Sequence, residues 1–135
     1  MDRYFCLSGG GGYRALRIEE CYKDMGGNFE EVLGRLISPA LVEKFIVKFL
    51  DDGSYAELRN QMDSGTREDA FKAAHTLKGV CANLSITKLC VSASELTEEL
   101  RSGDAKVSER AKELFEPVKD DYEMTVSTIR RYASE

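Results

Sequence analysis

Residues 70–84, AFKAAHTLKGVCANL, decide the fold. Ala70, Ala74, Leu77, Cys81 and Leu84 recur there at alternating steps of four and three, the spacing of a helix face packed in a bundle. Thr66 stands upstream as an N-cap. At about 100° per residue, with His75 as origin, Val80, Ala73, Leu84, Leu77, Ala70, Cys81 and Ala74 project between about 140° and 260°. This apolar arc lies opposite His75, so the imidazole is expected to face outward. The same arithmetic puts Gly79 near ~40°, Lys72 near ~60°, Ala82 near ~−20°, Phe71 near ~−40° and Lys78 near ~−60°. These residues form one surface patch with His75.

The rest of the chain continues the helical pattern on both sides. Upstream, Leu41, Val42, Phe45, Ile46, Phe49 and Leu50 form an apolar stripe that follows Ser38-Pro39, an N-cap and first-turn proline, and ends at Asp52-Gly53. Ser54 with Glu57 reads as a capping box for a helix running to Ser64-Gly65, and Asn28 with Glu31 as another for Phe29 to Ile37. A short helix through Leu16, Ile18, Cys21, Tyr22 and Met25 is expected to stop at Gly26-Gly27. Ser8 to Gly12 reads as a flexible glycine linker. Downstream, Ser85 is placed as the cap of a helix carrying Ile86, Leu89, Ala93, Leu96 and Leu100, antiparallel to the His75 helix. The last segment sets Ala111, Leu114, Phe115, Val118, Tyr122, Val126 and Ile129 on one face, with Pro117 expected to kink or interrupt it.

Long amphipathic helices with short connections imply an all-α fold, an antiparallel up-down-up-down four-helix bundle with one or two short extra N-terminal helices. Bundle helices are expected at about residues 39–63, in one piece or two, 66–84, 86–102 and 105–132. The domain reading is a flexible segment over residues 1–15 and a helical bundle over 16–135.

Composition supports one domain and excludes several functions. The chain has 135 residues, 42% of them hydrophobic, enough for a single core. A net charge of −5 argues against nucleic acid as a partner, since phosphate backbones are held by clustered Lys and Arg. Phe45 to Leu50, the longest apolar stretch, is broken by Lys48 and is far shorter than the roughly 20 residues that span a bilayer. No membrane association, a cytoplasmic location and a monomer are expected. Cys6, Cys21, Cys81 and Cys90 lack CxxC spacing and stand beside a single histidine, so they read as reduced thiols, with no metal ligands assigned.

His75 acquires a chemical reading from two neighbours. A glycine inside a helix costs about 1 kcal/mol relative to alanine, and Gly79 lies on the outer face, where it would let a partner approach closely. Lys78, one turn from His75, can set its ammonium beside a phosphoryl group on the imidazole. Phe71 is either an apolar docking contact or an edge of the core, and Lys72 and Lys78 suggest an acidic rim on a partner.

The segment from Ala74 to Leu84, with its His-x-x-Lys-Gly core, resembles the histidine-containing phosphotransfer, or HPt, family. The resemblance covers about residues 28–132. The stretch Glu20-Cys21-Tyr22 through Gly27-Asn28-Phe29-Glu30-Glu31-Val32-Leu33 is also similar to stand-alone bacterial members. Ser85 departs from the pattern, which has glycine after Asn-Leu in many members. The resemblance implies a phosphorelay intermediate that exchanges phosphoryl groups with aspartates of response-regulator receiver domains or hybrid histidine kinases. His75 would be the phosphoacceptor, Lys78 would steady the phosphate, and Gly79, Ala82, Lys72 and Phe71 would dock the partner. No cofactor is expected on this chain, which would be a phosphocarrier and not an independent enzyme; magnesium is expected on the partner receiver domain. Two other readings are a helical interaction module that binds a receiver without phosphotransfer, and a phosphoacceptor domain cut from a larger sensor kinase.

Overall fold

The computed structural model describes residues 10–134, with side chains from residue 17 onward. Seven α-helices follow one another among them: α1 Gly10–Asp24, α2 Phe29–Leu36, α3 Pro39–Lys48, α4 Ser54–Ser64, α5 Arg67–Asn83, α6 Thr87–Leu100 and α7 Glu109–Ala133. A 3₁₀ turn, Phe49–Asp51, separates α3 from α4, so the expected first bundle helix is in two pieces. The packing is that of the expected bundle: α5 lies against both α4 and α6, α6 packs on α7, and α1 and α2 are the extra N-terminal helices. Helix α1 starts at Gly10 and so takes in residues 10–15 of the segment expected to be flexible, the linker's Gly10–Gly12 among them; residues 1–9 lie outside the described residues.

The core is apolar and continuous through the bundle. Val42, Leu58, Ala70, Ala74, Leu77, Cys81, Leu89, Ala93, Leu96, Ala111 and Val118 have no exposed surface. An aromatic seam joins the 3₁₀ turn and α4 to α7. Tyr55 stacks on Tyr122 at 3.9 Å and lies 6.1 Å from Phe115, while Phe49 meets Tyr122 edge-on at 6.0 Å. Aromatic pairs of this kind add about 0.5–1.5 kcal/mol each beyond their buried area.

Caps explain most helix starts. Asn28, Ser38, Thr66 and Ser108 each accept a hydrogen bond from the backbone N–H three residues on, which satisfies a donor that the first turn leaves free. Two capping boxes are corrected. Ser54 is already helical; Gly53 is the N-cap, and the Asp52 carboxylate accepts from the Ser54 N–H at 2.8 Å. Asn28 does cap α2, but the Glu31 carboxylate accepts from Ser85 Oγ at 2.7 Å, a longer-range partner. Pro117 does not interrupt α7, which runs unbroken through it. Pro117 and Glu113 are both exposed, so the carbonyl deprived of a helical donor can turn to water.

The end of α5 is heavily tied. Ser85 is not a helix cap; it is buried at φ 55°, and Ile86 precedes α6 with no side-chain cap. The Ile86 N–H donates to Cys81 O at 2.9 Å and the Ser85 N–H to Ala82 O at 3.2 Å, the paired bonds of a Schellman motif whose left-handed residue is Ser85. This left-handed position is why glycine is expected there. Three further carbonyls are taken by the N-terminal helices: Tyr22 Oη donates to Leu84 O at 2.8 Å, Arg35 Nη1 to Asn83 O at 2.6 Å, and the Asn28 N–H to Ser85 O at 2.9 Å. Arg35 Nη1 also donates to Ser85 Oγ at 3.1 Å. The clamp fixes the C-terminal end of the helix that carries His75.

Candidate functional site

His75 lies in the middle of α5 and is exposed, as the helical arithmetic requires. Ala70, Ala73, Ala74, Leu77 and Cys81 are buried on the opposite face, so the same packing that holds the helix turns the imidazole outward. The flanks of His75 differ. Lys72 is exposed on the α4 side, where it lines a cleft of about 230 Å³ with Glu57, Gln61 and Asp69. Lys78 is half-buried on the α6 side, and its carbonyl accepts a weak hydrogen bond from the Cys90 thiol at 3.9 Å.

Gly79 and Ala82 are exposed on the outer face. A Cβ built on Gly79 meets nothing within 4 Å, so packing within this chain does not demand glycine there. Phe71 is half-buried against the core margin, and its ring meets the His75 imidazole edge-on at 5.8 Å and 75°. Its other neighbour is the Arg101 guanidinium, 5.3 Å from the ring centroid.

Two residues of this surface were not singled out from the sequence. Arg101, at the C-terminal end of α6, donates through Nε and Nη2 to the two carboxylate oxygens of Glu98 at 3.2 and 2.7 Å. The hydrogen bond and charge of Arg101 hold the Glu98 carboxyl below its ordinary range, with a smaller pull from Lys78. Glu98 therefore feels both Arg101 and Lys78, the two cations on the α6 side of His75. The spacing of Glu98 and Arg101 is visible as an i,i+3 pair, but its approach to Phe71 depends on how α6 packs on α5.

Elsewhere, a groove of about 960 Å³ is lined by residues including Arg17, Lys23, Gly26, Asn28 and Tyr132, none of them on α5. Cys21, Cys81 and Cys90 are free, with Cys21 and Cys81 buried; Cys6 lies outside the described residues. Burial pushes the Cys21 thiol up to about 12, and it pushes Cys81 higher still. Among the described residues no three His, Cys, Asp or Glu side chains converge as metal ligands, and no helix is long and apolar enough to cross a membrane.

The model of the Hpt domain family matches residues 41–130, about two thirds of the chain. Neither a curated protein nor a solved structure matches it. The family match spans the whole of α4, α5 and α6 and most of α3 and α7, with His75 inside it. The chain therefore belongs to the Hpt domain family, whose members carry phosphoryl groups in two-component phosphorelays by histidine phosphotransfer.

Proposed function

We propose that His75 is the phosphoacceptor of this Hpt domain, exchanging phosphoryl groups with the aspartate of a receiver domain in a response regulator or hybrid kinase. The observation that carries the proposal is the position of the chain's one histidine, outward in the middle of α5, beside a lysine and beside a glycine that this chain's own packing does not require.

In the forward step the lone pair of one imidazole nitrogen forms an N–P bond as the acyl P–O bond breaks. The electron pair of that bond returns to the aspartate as carboxylate, and the other ring nitrogen keeps its proton or gives it to water. The reverse step uses the same groups. Lys78 places its ammonium near the transferring phosphoryl oxygens. Gly79 and Ala82 leave room for the approach of the partner, and Lys72 supplies charge at the rim. The receiver's magnesium ion would supply the remaining charge neutralisation. A monomer acting in the cytoplasm fits this role.

The test is transfer from a receiver domain charged with acetyl phosphate and magnesium to the purified chain, followed as acid-labile, base-stable phosphate by intact mass. Label on wild type and none on His75→Gln is expected. Binding without label in either protein, across a panel of receivers, would leave an interaction module that transfers nothing.

A further inference from the structure

Glu98, Arg101, Phe71 and His75 form a chain of contacts that ends on the imidazole. Two hydrogen bonds hold the guanidinium to the Glu98 carboxylate, the guanidinium covers the Phe71 ring, and that ring meets His75 edge-on. We propose that Arg101, held by Glu98 and seated on Phe71, is a positioning residue for His75, fixing the ring orientation from which the attacking nitrogen meets the phosphoryl group.

The proposal rests on His75 as acceptor and adds the means by which an exposed side chain is kept ready. An imidazole on an open helix face samples several rotamers, and each wrong one must be abandoned before an in-line attack. Phe71, one helical turn earlier, limits that freedom only if its own ring is held. Its inner side rests against the core margin, and Arg101 lies over the ring from α6. Arginine suits the task because its planar group both stacks on a ring and fits a carboxylate with two parallel bonds, which lysine does not. Arg101 acts through orientation more than through charge. It is solvent-exposed, its ring contact is with Phe71, and the field of an exposed cation is screened by the solvent.

The experiment compares full-length wild type, Arg101→Gln, Arg101→Lys, Phe71→Leu and His75→Gln in transfer from one receiver domain charged with acetyl phosphate and magnesium. Rapid quench gives the saturating rate and the half-saturating concentration, and circular dichroism checks that each variant is folded. Arg101→Gln and Phe71→Leu are expected to slow the saturating rate by about two- to tenfold, the worth of one aromatic contact, with half-saturation within about twofold. Arg101→Lys, which keeps the charge but not the planar fork, should recover little of the loss. In nuclear magnetic resonance spectra, both slowed variants should lose the Phe71 ring-current shift on the imidazole protons. An unchanged saturating rate, or a rise in half-saturation alone, would overturn the proposal, the latter making Arg101 a partner contact. Label on wild type with full speed in Arg101→Gln sinks only this inference, whereas no label on wild type sinks the acceptor role of His75 and this inference with it.

Discussion

The two faces of α5 both use small residues, for opposite reasons. On the inner face Ala70, Ala73 and Ala74 are buried beside Leu77 and Cys81, and their size lets α4 and α6 close upon the helix. On the outer face Gly79 and Ala82 border His75, and a Cβ at Gly79 would meet open space. Smallness inside is a packing requirement; smallness outside is not one, and under the proposed function it leaves room for a partner. One helix thus separates the stability of the domain from its proposed chemistry by about half a turn.

The sharpest way to break this comparison is His75→Gln. Phosphoryl acceptance should vanish entirely while the thermal midpoint stays within about 2 °C, since an exposed substitution away from the core changes stability by at most about 0.5 kcal/mol. A large loss of stability would mean that the outer face also holds the fold. Leu77→Ala tests the converse. Chemical denaturation should show a loss of about 2–5 kcal/mol from the cavity, with acceptance retained in the fraction that remains folded.

A paired test treats small residues on the two faces alike. Ala74→Leu should destabilise by about 1–3 kcal/mol through overpacking. Gly79→Ala should instead raise stability by about 0.5–1 kcal/mol, because it removes a helix-interior glycine without a clash, and yet slow transfer from a receiver. If Gly79→Ala left transfer at the wild-type rate, the room at this position would have no bearing on docking.

The last effect appears only at alkaline pH, and it belongs to buried thiols. Cys81 and, beyond α5, Cys21 are protonated and buried, their thiols raised from 9.0 by desolvation. The folded state therefore binds protons more tightly than the unfolded state. The stabilisation is complete below the unfolded thiol value and is lost as pH rises from there toward the folded one. Each thiol should cost about 1.4 kcal/mol per unit above pH 9, and Cys81→Ala should flatten the slope of stability against pH.

Much of this arrangement is legible in the sequence where it depends on near neighbours. The wheel around His75 assigns inner and outer residues as the structure has them, and Asn28, Ser38 and Thr66 cap the helices that their spacing indicates. The misreadings at the end of α5 share one cause. Glu31 has a partner three residues away in pattern but is taken by Ser85, which is distant in sequence and adjacent in space. Ser85 itself has the chemistry of an N-cap and the backbone of a C-terminal turn, and only the chain direction imposed by packing α6 back on α5 selects the second. Arg101 and Phe71 meet for the same reason, through the antiparallel return of α6.

The clamp on the end of α5 has a consequence for how such a domain can be moved between proteins. Residues 41–130 match the family, but Tyr22, Asn28 and Arg35, whose donors occupy the carbonyls of Leu84, Ser85 and Asn83, all precede residue 41. A chimera spliced at the family boundary would inherit the helix of His75 and leave its fastenings behind. The transplantable unit is longer than the recognisable one, and its extra length secures the far end of the helix on which the histidine stands.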